Sequence, residues 1–179
     1  MTETPARFPA LLSEQVGHEF AASQQYLAAA VWLDSHDLPR LGAHFYRQAG
    51  EERDHAMMMV RYMLDRDLPV QVPGVAGVRN AFDSPRDVVA LALEQEKAVT
   101  AQIETLFKAA RGEGDVIGEQ FVLWFLKEQV EEVASMSTLL RMVERAGDDW
   151  LRIEEFLARD TVGDEGVDPS APPVAGAPA

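Results

Sequence analysis

Glu52 and His55 form the pair of residues in this sequence whose spacing most directly indicates metal chemistry. Residues three positions apart lie on one face of an α-helix, so this carboxylate and this imidazole can reach the same ion. Glu52 has two oxygens, and the second could bridge to another ion. Oxygen ligands with a single imidazole suit Fe(II) or Mn(II), although Zn(II) would also bind. Alone the pair is a weak signal, because most helix glutamates are solvated and a lone histidine is usually a hydrogen-bonding partner.

The other helices carry carboxylates at equivalent positions. Apolar residues recur at three- and four-residue spacing on four predicted helices, and a glutamate interrupts each apolar stripe near its middle. Mid-helix positions of an up-and-down bundle meet at one level. We therefore expect six polar side chains to converge inside the core: Glu19, Glu52, His55, Glu96, Gln129 and Glu132.

Four buried carboxylates need a counter-charge. Burying even one unpaired carboxylate costs several kcal/mol, and four together repel one another and take up protons. Two divalent cations would balance the four charges, so the pattern predicts a dinuclear metal centre. A structural bundle with a mid-helix polar network is the alternative. Tyr26, two turns after Glu19, could donate a hydrogen bond there, donate an electron, or only pack in the core.

The helices that must position these residues are separated by glycine and proline. They are predicted at about 5–35, 39–67 with Asp37 as N-cap, 85–112, 116–146 with Asp115 as N-cap, and 150–160. Short links make the first two helices antiparallel neighbours, and likewise the third and fourth. The 67–84 link can span about 55 Å, more than the roughly 42 Å of a 28-residue helix. The sequence thus predicts an all-α protein: an antiparallel four-helix bundle with one long crossover loop and a short fifth helix.

Composition narrows the class of protein. The chain has 179 residues, with 16 Lys+Arg against 30 Asp+Glu and a net charge of −14, which favours cations and argues against nucleic-acid partners. Cysteine is absent, so disulfides, thiol catalysis and iron–sulfur clusters are excluded. No membrane-spanning segment or secretory signal is visible, and we expect a cytoplasmic protein. Residues 1–160 are predicted as one helical domain, and 161–179 as a Pro/Ala/Gly-rich C-terminal tail, either disordered or docked.

Four stretches together resemble the non-haem bacterial ferritins of the ferritin-like superfamily: HEFAASQQY, GEERDHA, LEQEKAVT and WFLKEQVEEV. The resemblance extends from about residue 8 to 160. It implies that Glu19, Glu52 and His55 hold one iron, and that Glu52, Glu96 and Glu132 hold the second, with Gln129 alongside. Three more residues match a third iron position of that family, although the first and last could equally be solvated surface: Glu51, Glu128 and Glu131.

The resemblance also implies a function. Such a protein is a ferroxidase that oxidises Fe(II) with O₂ and stores Fe(III) as mineral inside a homo-oligomeric shell of 24 subunits. A haem is not expected, because Arg53 stands where bacterioferritins have their haem-ligating methionine. The fourth helix also lacks their second Glu-x-x-His pair. A di-metal oxidase or oxygenase of the same fold that stores nothing is the rival function.

Overall fold

The computed structural model describes residues 7–160, 162–163 and 168–177. These residues form five helices and no strand: α1 (Arg7–Asp34), α2 (Pro39–Asp65), α3 (Pro85–Glu113), α4 (Val116–Ala146) and α5 (Leu151–Leu157). Helix α1 packs against α2 and α3, α3 packs against α4, and α5 contacts both α2 and α4. The predicted four-helix bundle with a long crossover and a short fifth helix is confirmed.

Local sequence signals fix the starts of α3 and α4. Ser84 precedes Pro85, and its hydroxyl accepts a hydrogen bond from the Asp87 N–H at 3.3 Å. Asp115 accepts a hydrogen bond from the Gly118 N–H at 2.9 Å. Both side chains satisfy one of the unpaired donors of a first helical turn, as the sequence predicted.

The start of α2 differs from the prediction. Asp37 adopts a left-handed conformation with φ of 59°, and Leu38, which cannot cap, directly precedes the helix. The acceptor comes instead from α5, where the Glu154 carboxylate receives the N–H groups of Arg40 at 2.9 Å and Leu41 at 3.1 Å. The predicted Asp37 cap is therefore wrong, because a carboxylate distant in sequence occupies the helix end.

The buried apolar residues form two clusters, one toward each end of the bundle. One contains Tyr26, Phe45 and Leu139, and the other contains Phe8, Met59 and Ile103. Along the four long helices the two clusters are separated by a belt of buried polar side chains: Gln15, Glu19, Gln48, Glu52, His55, Glu96 and Gln129.

The crossover between α2 and α3 runs beside α1. The Gln25 side chain accepts a hydrogen bond from the Arg79 N–H at 2.8 Å and donates one to the Arg79 carbonyl at 2.9 Å. A Cβ at Gly17 would lie 3.0 Å from Pro73 Cγ, so the absence of a side chain there permits this close approach. Within the described part of the chain, no helix has the length and apolar character needed to cross a membrane.

Candidate metal centre

Glu19, Glu52 and His55 meet in the buried belt between α1 and α2. One ligand-type atom from each lies within 4.8 Å of the others. The His55 Nδ1 and a Glu52 carboxylate oxygen are 3.4 Å apart. The exposed fractions of Glu19, Glu52 and His55 are 1%, 2% and 6%, so all three side chains are withdrawn from bulk solvent. The helical i, i+3 spacing of Glu52 and His55 places both on the face of α2 that packs toward Glu19.

The hydrogen bonds of Glu19 leave part of its carboxylate unsatisfied. Its Oε1 accepts a hydrogen bond from Gln15 Nε2 at 2.9 Å, but its buried Oε2 has no hydrogen-bonding partner. Among the ion pairs of the described residues, none joins a lysine or arginine to Glu19, Glu52 or Glu96. A buried carboxylate oxygen without donor or cationic side chain fits a metal cation better than a closed polar network.

Glu96 lies in the same belt but is held by its own set of donors. The Tyr26 hydroxyl donates a hydrogen bond to one carboxylate oxygen, and Gln129 Nε2 donates to the other at 3.1 Å. Gln129 Nε2 also reaches the Glu96 backbone carbonyl at 3.2 Å. Tyr26 on α1 and Gln129 on α4 thus fix the orientation of Glu96 on α3. The structure gives Tyr26 a hydrogen-bonding role toward this carboxylate.

An acidic cavity opens beside this centre. Glu132 is half-buried on α4 and accepts a hydrogen bond from Gln48 Nε2 at 3.4 Å, and Gln48 also donates to Glu51. The cavity has a volume of about 190 Å³ and reaches His55. We call it the acidic vestibule, after the carboxylates that line it: Glu51, Asp54, Glu128, Glu131, Glu132 and Asp168.

Burial perturbs the ionisation of these carboxyl groups. Desolvation raises the pKa of Glu19 well above its usual value, and the nearby charge of Glu52 raises it further. The pKa of Glu52 is also raised well above its usual value, mainly by burial and next by the charge of Glu96. Burial also raises the pKa of Glu96, even though Tyr26 and Gln129 stabilise its charged form. Burial and the charge of Glu96 raise the pKa of Glu132 to about 8. These shifts favour the protonated form of the carboxyl groups, and a bound cation would compete with those protons.

The sequence did not indicate a chemical role for three residues at the site: Gln15, Gln48 and Asp168. Gln15 and Gln48 each lie one helical turn before a glutamate of the belt. The Gln15 amide donates to Glu19, and the Gln48 amide donates to Glu132 beside the vestibule. Their i, i+4 spacing from Glu19 and Glu52 was the available signal. Asp168 has no such signal, because its partners Trp124 and Lys127 are more than 40 residues away.

Comparison with known proteins places this architecture in one class. The family model described as Ferritin-like domain matches residues 9–146. The chain therefore belongs to the ferritin family.

Several relatives are similar over most of the chain. It is 56% identical to "Ferritin BfrB" of Mycolicibacterium smegmatis over 170 residues, which cover 95% of this chain and 93% of that protein. It is 33% identical to "Bacterial non-heme ferritin" of Staphylococcus aureus MRSA252, over 77% of this chain and 83% of the relative. Among solved structures, an open pore ferritin from Archaeoglobus fulgidus superposes with a TM-score of 0.83 at 27% identity, covering 90% of this chain and 100% of that one.

Proposed function

We propose that this chain is an iron-storage ferritin. It oxidises Fe(II) with O₂ at a dinuclear centre within the bundle and deposits Fe(III) as mineral inside a hollow homo-oligomeric shell, of 24 subunits by family resemblance. The observation that carries the proposal is the buried cluster of Glu19, Glu52 and His55, with its unsatisfied oxygen and with no lysine or arginine of the described residues paired to it. The cytoplasm stays the predicted compartment.

The proposed ligands divide into two iron positions that share Glu52. Glu19, Glu52 and His55 hold the first Fe(II), which is supported by the proximity of their ligand atoms. Glu52, Glu96 and Glu132 hold the second. Support for the second position is electrostatic: after burial, the charge of Glu96 raises the pKa of both Glu52 and Glu132, and the charge of Glu132 adds to the rise for Glu52.

Two neighbours orient Glu96 without being required as ligands. Tyr26 and Gln129 each donate to one of its oxygens, so neither oxygen is free to rotate away. Tyr26 is therefore proposed to act first through this hydrogen bond. Gln129 is proposed to hold Glu96 toward the second iron.

The acidic vestibule provides the proposed path for iron. Glu51, Glu128 and Glu131 line it together with His55, which is the arrangement expected of a third iron position next to the first two. Glu131 is exposed, whereas Glu51 and Glu128 are half-buried. A concentration of carboxylates raises the local concentration of cations, and so favours delivery of Fe(II) to the buried ligands.

The chemistry follows from holding two Fe(II) ions side by side. Each ion gives up one electron, and the two electrons with two protons reduce one O₂ to hydrogen peroxide. Water bound by the resulting Fe(III) loses protons and forms the oxide-hydroxide of the mineral. The protein supplies the fixed distance between the ions and negative charge that stabilises Fe(III) over Fe(II).

The proposal is tested by loading metal-free protein with Fe(II) in air and measuring iron per subunit after size-exclusion chromatography. Storage predicts iron far above three ions per subunit in a large particle. Two or three ions per subunit would instead indicate a di-iron oxidase without storage. If no iron binds, the buried polar residues would instead form a purely structural network.

Single-residue variants test which side chains are needed for Fe(II) oxidation. Glu52→Ala should slow initial Fe(II) oxidation in stopped-flow absorbance by at least about tenfold, since it removes a ligand shared by both ions. Glu131→Ala should have a much smaller effect, because that side chain is exposed at the vestibule wall. The exposed Glu94→Ala on α3 is the matched control and should oxidise Fe(II) at the parent rate. Equal rates for the Glu52 variant and the parent would contradict the bridging role.

A further inference from the structure

Residues 168–177, the C-terminal segment, lie against the outer surface of α2 and α4. The Asp168 Oδ2 accepts a hydrogen bond from Trp124 Nε1 on α4 at 3.0 Å, and Lys127 Nζ lies 3.5 Å from the same oxygen. Further along, the Ala175 N–H donates to the Met57 carbonyl of α2 at 3.2 Å. The C-terminal segment is therefore attached to both helices that flank the acidic vestibule.

Apolar contacts accompany these polar ones. Ala171, Val174 and Ala175 pack against the core cluster that contains Phe125 and Met58. Before the C-terminal segment, the buried residue Val162 and its neighbour Gly163 pass close to His44 and Ser135 of the bundle. Four tail residues thereby contribute to the wall of the vestibule: Val162, Gly163, Asp168 and Ala171.

Asp168 is built to stay in place as a charged acceptor. Its Oδ1 accepts hydrogen bonds from the Ser170 N–H at 2.8 Å and the Ser170 hydroxyl at 2.7 Å. Its other oxygen faces Trp124 and Lys127. Both oxygens thus accept hydrogen bonds from the protein, and these bonds join Asp168 to α4 and to its own segment.

Trp124 links this contact to the metal centre. Its indole lies edge-on to the His55 ring, with centroids 5.6 Å apart and an interplanar angle of 77°. It also packs on Phe125, with centroids 4.9 Å apart. The Asp168 hydrogen bond holds the indole edge, and the indole borders the imidazole together with Phe125, whose ring centroid lies 5.7 Å from that of His55.

We propose that Asp168 is a positioning residue for the metal centre: it fastens the C-terminal segment across α2 and α4, closes one wall of the acidic vestibule, and holds Trp124 against His55. The role in metal exchange rests on the proposed function, because it requires metal at His55. The docking of the segment does not. Loss of the contact frees the indole and opens the vestibule to solvent and to chelators.

The first test measures docking in metal-free protein. Replacing Trp32 and Trp150 with Phe leaves Trp124 as the single tryptophan of the chain. In this background, Asp168→Ala should lower the ratio of docked to undocked segment by about tenfold, as expected for loss of a hydrogen bond to a charged group. Acrylamide should then quench Trp124 fluorescence more strongly. Asp160→Ala, at an exposed carboxylate eight residues earlier in the chain, is the control and should leave quenching at the parent level.

The second test uses the chain with its three tryptophans and the redox-stable probe Co(II). The visible spectrum of bound Co(II) reports the His55 ligand, and its loss to added EDTA reports access through the vestibule. Asp168→Ala should alter the spectrum and release Co(II) several-fold faster. Asp168→Asn keeps a single acceptor oxygen, which can receive the Trp124 N–H but then leaves the Ser170 N–H without an acceptor, so it should restore part of the parent behaviour. A purely structural tail would leave the Co(II) spectrum unchanged.

Each outcome bears on a different part of the proposal. Unchanged quenching in Asp168→Ala overturns the fastening role, and increased quenching with unchanged Co(II) release and spectrum overturns the positioning role. Fluorescence is measured without metal, so a parent protein that binds no metal would overturn the proposed function while leaving the docking result intact.

Discussion

Replacing Glu132 with Gln should stabilise the metal-free protein near neutral pH and have little effect near pH 5. Burial and the charge of Glu96 raise the pKa of Glu132 from 4.5 to about 8. A folded-state pKa above the unfolded value means that the folded state binds the proton more tightly. The stability contributed by that proton is present in full below about pH 4.5 and is lost as pH rises through about 8.

The magnitude follows from the two pKa values. Between pH 4.5 and 7, linkage gives a loss of at most about 3 kcal/mol, at roughly 1.4 kcal/mol per pH unit. Glu132 is half-buried beside the vestibule, so water reduces this value. Glutamine is nearly isosteric with the protonated carboxyl and stays neutral at every pH. We therefore expect Glu132→Gln to be more stable than the parent by about 1–3 kcal/mol at pH 7.

The assay is denaturant unfolding of EDTA-treated protein at a series of pH values between about 5 and 8. Glu94→Gln, on the exposed face of α3, should follow the parent curve throughout and controls for net charge. With Zn(II) added, the parent should become more stable than Glu132→Gln, because a divalent ion stabilises the parent more than a variant that has lost an anionic ligand. Parallel curves for the parent and Glu132→Gln would refute the inference that burial strains this carboxylate and that a cation relieves it.

Two further substitutions test contacts seen in the bundle. Tyr26→Phe removes the hydroxyl that stabilises the charged form of Glu96, so metal-free protein should lose about 1–3 kcal/mol at neutral pH and Fe(II) oxidation should slow. Parent-like denaturation and stopped-flow curves would show that the contact is dispensable. Glu154→Ala removes the acceptor at the start of α2 and should cost about 1 kcal/mol in thermal unfolding. Its exposed neighbour Glu155→Ala should cost less, and equal losses would argue against capping.

The bundle was predictable because its determinants are local. The spacing of apolar residues defines each helix. Ser84 and Asp115, directly before α3 and α4, are the N-cap residues of these helices. The crossover topology followed from the length of the 67–84 link, because a link shorter than a helix could not return along the bundle. Among the described residues, helix ends agree closely with the predicted ones, except that α5 is shorter, at Leu151–Leu157. The predicted start of the first helix at about residue 5 lies outside the described residues.

Contacts between distant parts of the chain were not predictable in the same way. Glu154 caps α2, although it follows the first residues of that helix by more than 110 positions. Among the residues next to the helix start, Asp37 was the predicted cap. The docking of Asp168 on Trp124 likewise depends on where a non-helical segment crosses the finished bundle. Periodicity carries no information about such contacts, because both partners must first be placed by the fold.

The centre itself lies between these two cases. Helical periodicity indicates that the glutamates share one level, but it does not specify which side chains pair. In the structure Glu19 and Glu52 lie together with His55, whereas Glu96 is bound to Tyr26 and Gln129. That division depends on side-chain rotamers and on donors from neighbouring helices, which a stripe of residue types does not encode.

The polar belt explains why stability and metal binding are coupled in this bundle. Two apolar clusters provide the driving force for folding, and the belt between them opposes it, because its carboxylates are desolvated and repel one another. Protons relieve this opposition in the metal-free state. A divalent cation relieves it more effectively, because it replaces protons and interacts with several carboxylates at once. At the proposed ligands Glu52 and Glu132, metal binding should therefore release protons, and affinity for Fe(II) should rise with pH in the range where the metal-free protein becomes less stable.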